Sequence, residues 1–282
     1  MTFELLISTM HKSCFEIKQM LMDMNVRCNC LVINQCDMED YYEEVLDDNN
    51  CLRIFFTKER GLSKSRNMAL RNANADIVSI ADDDLVYYDN FDKEILNFYL
   101  ENVSADVVLF NMDDYRKSFS SMSHSVKFIE LSSFISMQCS FKIDKIRDKK
   151  IEFNELFGSG SSFFNSGEEN IFLANCKKNK LKIFYCCKKI LKRDESESTW
   201  FTTFSDEKFI MTRGATYYSM SRFLYYPYIF RFAIKYRKKL KPYNIFQSIK
   251  IMESGKKYLL RLQKEVMNAE KLPFNFDNNP KL

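Results

Sequence analysis

The sequence predicts an α/β protein: a mostly parallel sheet covered by helices on both faces, followed by a helical extension. Three observations lead there. Short apolar runs alternate with segments of helical spacing through the first half. Polar or acidic residues stand directly after several of those runs. Beyond residue 206 the pattern is helical only. Strands alternating with helices argue for parallel pairing, because each crossover helix returns the chain to the same end of the sheet.

Phe3–Ser8 opens as a strand, followed by a helix over Phe15–Met24 with Phe15, Met20, Met22 and Met24 as its apolar positions. Cys30–Ile33 and Leu52–Phe56 read as the second and third strands. Leu62–Asn72 reads as a helix after Gly61, with Ser63 as a candidate cap. Ile77–Ala81 is the fourth strand, Phe91–Asn102 the next helix and Val107–Phe110 the fifth strand. Residues 111–165 are less regular, with short strands expected at Val126–Ile129 and Gln138–Ile143. A helix at Glu168–Asn179 and a strand at Leu181–Cys186 complete this part. Helices are expected at Asp206–Phe223, Tyr226–Lys239 and Tyr243–Met267, and Pro273–Leu282 reads as a loose tail. The expected domains are 1–205, a helical extension 206–270, and a tail 271–282.

Composition narrows the classes. The 282 residues are 46% hydrophobic and 28% charged, with six Gly and four Pro, so the chain is neither disordered nor low-complexity. No run reaches the ~20 apolar residues that span a bilayer. Met1-Thr2-Phe3-Glu4 carries no basic segment or small-residue cleavage site, so no signal peptide is expected. Nine Cys in irregular spacing, with only His11 and His124 beside them, fit reduced cytosolic thiols better than zinc ligands or disulfides.

The net charge of +4 is unevenly spread. Asp37–Asp48 holds seven acids and no base. Arg222–Lys241 holds seven bases and no acid, and eight aromatics lie from Phe223 to Tyr243. Such a segment is a solvated basic helix over a packed aromatic core, a dimerising helix, or a surface for anionic lipid. Arg231 and Lys235 break its apolar run, so it can lie on a bilayer but not cross one. The acidic stretch and modest net charge count against nucleic acid.

Chemistry concentrates in four places. Asp82-Asp83-Asp84 follows directly on the fourth strand. Ligands of open α/β sheets bind outside the carboxyl ends of strands. Three adjacent carboxylates there suit a hard divalent cation sharing phosphate oxygens, although solvated acidic junctions look alike. Glu59–Asn67 runs into a helix, and Arg66 can pair with a diphosphate or make a surface salt bridge. Ser8-Thr9 and Asn34-Gln35 are small polar strand ends suited to a nucleoside, or simple strand terminations. Gly158-Ser159-Gly160 and Ser166-Gly167-Glu168-Glu169 form a glycine-punctuated loop running into acids at a helix start. The macrodipole alone favours acids there; a general base facing a cleft is the functional alternative.

Taken in order, these blocks resemble the family 2 glycosyltransferases of GT-A fold over roughly residues 3–204. Leu5-Leu6-Ile7-Ser8-Thr9 is similar to the family's opening strand, and Arg60–Leu70 to its glycine…Arg-Asn helix. Ala81-Asp82-Asp83-Asp84 is similar to its Asp-x-Asp motif, and Gly167-Glu168-Glu169 to its Glu-Asp acceptor-side motif. Asn34-Gln35-Cys36-Asp37, Glu59-Arg60-Gly61 and Glu197-Ser198-Thr199-Trp200-Phe201 together resemble a branch from bacterial capsule and O-antigen gene clusters.

The resemblance implies inverting transfer from a nucleoside-diphosphate sugar, with Mn²⁺ or Mg²⁺ held by Asp84 and with Asp82 on the ribose or the metal. Thr9, Asn34, Gln35, Arg66, Asp82 and Asp83 would bind the donor, and UDP is the expected carrier. Glu169 would be the base, with Glu168 as alternative, since the family usually carries Asp at this second acid. Asn34-Gln35 also departs from the family's frequent Asp-Asp. Gly167 and Trp200 fall on the acceptor side. The implied acceptor is a lipid-linked saccharide and the implied location the inner face of the cell membrane, held peripherally by anionic lipid; a homodimer through the C-terminal helices is the competing use of those helices. A non-catalytic binding module of degenerate fold is the alternative function. A nucleotidyltransferase would want glycines after strand one, which Met10-His11-Lys12-Ser13 lacks.

Overall fold

The computed structural model describes all residues except 47–49, 114–119, 194–203, 205 and 270–282. It divides into two compact units, Met1–Trp200 and Phe201–Leu282.

The first unit holds strands β1 (Phe3–Met10), β2 (Asn29–Gln35), β3 (Asp40–Val45), β4 (Cys51–Thr57), β5 (Ile77–Asp82), β6 (Leu85–Tyr87), β7 (Val107–Asp113), β8 (His124–Ser125), β9 (Cys139–Lys142) and β10 (Ile183–Arg193). Its helices are α1 (Cys14–Asp23), α2 (Leu62–Asn72), α3 (Phe91–Glu101), α4 (Ile143–Asp148) and α5 (Glu168–Lys178). The strands form one sheet in the order β3-β4-β2-β1-β5-β9-β7-β10-β6, with β8 on β10.

β4, β2, β1 and β5 pair in parallel. Their apolar runs follow from that position: Leu5, Ile7, Val32, Ile54 and Ile77 are fully buried, as expected of strands covered on both faces. The chain moves one way from β1 to β2 and the other way from β4 to β5. Right-handed crossovers therefore place α1 and α2 on opposite faces, and the direction of winding reverses beside β1. Register puts Ser8 opposite Asp82, Thr9 opposite Asn34, and Met10 opposite Gln35. The polar strand ends thus share one edge.

The expected fourth and fifth strands, β5 and β7, are not neighbours. Antiparallel β9 lies between them, with Ser140 opposite both Ser79 and Val108. The strand expected at Val126–Ile129 is instead the two-residue β8 followed by a 3₁₀ helix, Phe128–Ser133. The acidic stretch contributes β3, an edge strand paired antiparallel to β4. Charge on an exposed edge discourages pairing with another chain.

Caps differ from the expectation at one helix. α2 is capped by Gly61 at φ 117° without a side-chain bond. The Ser63 hydroxyl donates instead to the Phe157 carbonyl at 2.6 Å, because Ser63 sits buried in the first turn and faces that loop. α1 carries a full capping box, with Ser13 Oγ accepting from Glu16 N and the Glu16 carboxylate from Ser13 N.

The second unit holds α6 (Glu207–Met220), α7 (Tyr225–Lys235) and α8 (Ile245–Ala269). α7 ends four residues short of the expected Lys239, so Arg237–Lys241 lies in the following turn. The tail expected at Pro273–Leu282 lies outside the described residues. Tyr217 stacks on Tyr228 with centroids 5.1 Å apart, and Phe232 packs on Tyr217 and Tyr236.

α6 and α8 cross at a pair of glycines. A Cβ at Gly214 would lie 2.0 Å from the Met252 carbonyl oxygen, and one at Gly255 1.9 Å from that of Met211. Both obstacles are backbone, so the helices must part to admit even a methyl group. Gly214→Ala and Gly255→Ala are each expected to destabilise this unit by about 1–3 kcal/mol or more. Thermal unfolding followed by circular dichroism checks this, and an unchanged melting temperature would contradict the tight crossing.

Candidate active site

The site is built on the carboxyl edge of β1, β2 and β5. Thr9 is buried at the end of β1, and its hydroxyl donates to Asp83 Oδ2 at 2.6 Å. Lys12 Nζ lies 3.8 Å from the same oxygen. Ser65 of α2 donates to Ser8 Oγ at 2.7 Å, tying helix to strand.

The two amides at the end of β2 do structural work. Asn34 is fully buried, donating Nδ2–H to the Lys12 carbonyl at 2.5 Å and accepting at Oδ1 from the Lys12 N–H at 3.2 Å. It clamps the turn that carries Lys12. Gln35 donates to the Gly61 carbonyl at 3.0 Å and so anchors the start of α2. Its backbone oxygen accepts from the His11 N–H.

Arg66 is the hub. It projects from α2, is 1% exposed, and carries three charge-assisted or polar bonds of 2.8 Å each. Nη1 donates to Glu168 Oε1, and Nη2 to Asp82 Oδ1 and Ser136 Oγ. Its guanidinium lies over the Phe153 ring at 5.5 Å. Burial works against the charged form, but the charges of Asp82, Glu168 and Glu169 outweigh it, so the Arg66 pKa lies above its ordinary value. Arg66 Nε has no hydrogen-bond partner among the described residues.

Glu168 and Glu169 open α5, where the macrodipole favours them. Gly167 caps that helix at φ 96°, a left-handed conformation that glycine adopts without steric cost. Glu168 is buried, with Oε1 on Arg66 and Oε2 without a hydrogen-bond partner among the described residues. Gly158, at φ 109°, packs against it: a Cβ there would stand 3.3 Å from the Glu168 carboxyl carbon and 3.0 Å from Ser63 Oγ. Glu169 is half-buried. It lies close enough to Arg66 and Cys139 to act on both, and burial together with the Glu169 charge raises the Cys139 thiol.

The structure therefore gathers Asp82, Arg66, Glu168 and Glu169 around one guanidinium, with Thr9 and Asp83 at the strand ends beside them. Asp83 and Asp84 are exposed past the end of β5. Trp200 lies outside the described residues. Sequence reasoning missed Lys12, Ser136 and Phe153. Ser136 and Phe153 stand in irregular segments without a motif. Lys12 carries a signal only through Asn34, whose clamp a linear sequence does not display.

Charge decides what this edge can bind. Asp82 and Glu168 are paired with Arg66, Asp83 lies 3.8 Å from Lys12 Nζ, and Asp84 and Glu169 add further negative charge to an edge that a diphosphate must approach. Among the described residues no three His, Cys, Asp or Glu side chains form a group that could hold a metal. Hard carboxylate oxygens in smaller number still fit Mg²⁺ or Mn²⁺, whose shells are completed by phosphate oxygens and water.

Comparison with known proteins places the fold. Residues 16–167 match the family described as glycosyl transferase family 2. The structure of S. aureus TarS 1-349 in complex with UDP-GlcNAc aligns with a TM-score of 0.59 and 16% identity, covering 90% of this chain and 91% of that one. S. aureus TarS aligns at 0.57 and 16% identity, covering 86% and 44%. TarS 1-349 in complex with UDP aligns at 0.54 and 14% identity, covering 99% and 94%. At these identities the likeness concerns the fold. No curated protein matches the chain. The matched segment is more than half of the chain, takes in α2 and the Asp triplet, and ends at Gly167, directly before α5; the chain belongs to glycosyl transferase family 2 and is a glycosyltransferase of GT-A fold.

Proposed function

We propose that the enzyme moves a sugar, with inversion, from a UDP-linked donor to a hydroxyl of a lipid-linked saccharide in bacterial surface polysaccharide synthesis. The observation that carries this reading is Arg66, buried between Asp82 at the strand edge and Glu168 at the start of α5. One guanidinium thereby links the donor-side and acceptor-side acids. The UDP and UDP-GlcNAc complexes of TarS support a uridine donor.

In the reaction, the acceptor hydroxyl attacks the anomeric carbon as the bond from that carbon to the diphosphate oxygen breaks. Arg66 faces the negative charge that grows on the leaving nucleoside diphosphate. Thr9, Asn34 and Gln35 shape the nucleoside end, Asn34 and Gln35 by holding the Lys12 turn and the start of α2. Asp84 and Asp82, with Asp83 beside them, would hold Mg²⁺ or Mn²⁺, which supplies the positive charge that the diphosphate needs. Glu169 takes the hydroxyl proton. It suits that task better than Glu168, whose carboxylate is buried and ion-paired. Gly167 lets both acids start the helix. Trp200 is assigned to the acceptor side with the resemblance as its support.

The enzyme works at the inner face of the cell membrane, held peripherally. No described helix is long and apolar enough to cross a membrane. A panel of nucleotide sugars, incubated with and without Mn²⁺ or Mg²⁺, tests the donor and the cation together. Asp84→Ala is expected to lose cation-dependent nucleotide binding and transfer while its exposed position leaves the fold intact. Undiminished turnover in the folded variant would remove the cation from the reading. Absence of both donor binding and hydrolysis in the wild type, across the panel, would favour a non-catalytic module.

A further inference from the structure

The aromatic residues of the basic segment fall into two sets. Tyr225, Tyr228 and Phe232 are buried within the second unit. Phe223, Tyr226, Phe230 and Ile234 are not: Phe223 is 96% exposed, Phe230 47% and Ile234 51%. Tyr226, Phe230 and Ile234 recur every four residues, which places them along one stripe of α7. Phe223 precedes that stripe by three residues. Three large side chains exposed along one helix face, with Phe223 exposed just before it, form an apolar patch of the kind that marks an interaction surface.

Charge identifies the partner. Arg231 and Lys235 are exposed on the same helix, and Arg237, Lys238, Lys239 and Lys241 are exposed in the turn that follows it. No acid occurs anywhere in Arg222–Lys241. A second copy of this chain would bring the same positive charge to the contact and be repelled. Glu253 of α8 near the stripe is paired with Lys256, which lies over the Tyr226 ring. An apolar stripe whose own segment carries bases and no acid is complementary to a bilayer with anionic headgroups, where rings and Ile enter the boundary and Lys and Arg meet phosphates.

We infer that the exposed face of α7, with Phe223 before it and the basic turn after it, is a docking surface for an anionic lipid bilayer. This deepens the proposed function and rests on its reading of a lipid-linked acceptor. The buried aromatics hold the helix in its unit, and the exposed ones enter the lipid.

Vesicle sedimentation with the full chain tests it. Vesicles of phosphatidylcholine alone are compared with vesicles carrying a quarter phosphatidylglycerol. The chain should bind the anionic vesicles, and binding should weaken as salt shortens the Debye length from about 8 Å at 0.15 M to about 3 Å at 1 M. Phe223→Ser/Phe230→Ser should lower the partition by on the order of tenfold or more, the equivalent of unburying an aromatic side chain. The triple variant Arg237→Ala/Lys238→Ala/Lys239→Ala should lose the preference for anionic lipid. All these positions are exposed, and unchanged circular dichroism confirms folding. Equal binding to both vesicles, or none to either, overturns the inference. A dimer in sedimentation velocity that Phe230→Ser dissolves, without vesicle binding, overturns it in favour of a second copy. Donor hydrolysis without vesicles is read in the same variants and should match wild type. Vesicle binding without any wild-type hydrolysis would sink the enzymatic reading and leave the surface standing.

Discussion

Glu169→Gln is expected to bind donor as tightly as the wild type and to lose transfer by about 10²–10⁴-fold, the contribution of a positioned general base. The substitution keeps size and removes the negative charge together with the ability to accept a proton. Glu169 is half-buried at the first turn of α5, while Glu168 beside it is held by Arg66 at 2.8 Å. Glu168 is 5% exposed and bonded to the guanidinium, which commits it to holding Arg66 rather than to meeting an acceptor. The two acids therefore divide their tasks by environment. Glu168→Gln should damage donor binding through Arg66, so its effect falls on KM as well as kcat. Glu169→Gln should fall on kcat and abolish the acidic limb of its pH profile. Should Glu168→Gln be silent in transfer with donor affinity intact while Glu169→Gln turns over normally, the roles are exchanged.

The sheet was legible where strands are buried on both faces and poorly legible at its margins. β1, β2, β4 and β5 announce themselves because a strand without a solvent face must be largely apolar; the buried charges they carry, Glu4 of β1 and Arg53 of β4, pair with each other at 2.6 Å. β3 is an edge strand with charged residues outward, so nothing in Asp40–Val45 shows a period that composition could reveal. β9 is legible as a short alternation of apolar and polar residues, but its insertion between β5 and β7 is a long-range pairing, and local sequence carries no information on neighbours. At the site, residue types were legible and partnerships were not. Asp82 and Arg66 stand out as charges at the end of a strand and the start of a helix. That Arg66 reaches Glu168, 102 residues away, depends on how α2 and α5 approach one another. Asn34 shows the opposite case. An amide at a strand end reads as a ligand donor, yet both its ends hold the Lys12 turn.

Arg66→Met is expected to abolish measurable donor binding and to destabilise the first unit by about 3–5 kcal/mol, a large share of the ~5–15 kcal/mol that holds a domain folded. The methionine fills the space over Phe153 but leaves Glu168, which is 5% exposed, without its countercharge. Most of the cost is that stranded carboxylate. Adding Glu168→Gln removes the charge, so the double variant should be more stable than Arg66→Met alone while remaining inactive. Arg66→Lys keeps one positive charge but cannot span Glu168, Asp82 and Ser136 with a single ammonium group, so it should recover part of the stability and little of the binding. The melting temperatures of the wild type, Arg66→Met, Glu168→Gln and the double variant give the check. A loss from Arg66→Met that Glu168→Gln does not reduce would mean that Arg66 stabilises the unit by packing on Phe153 rather than by neutralising Glu168.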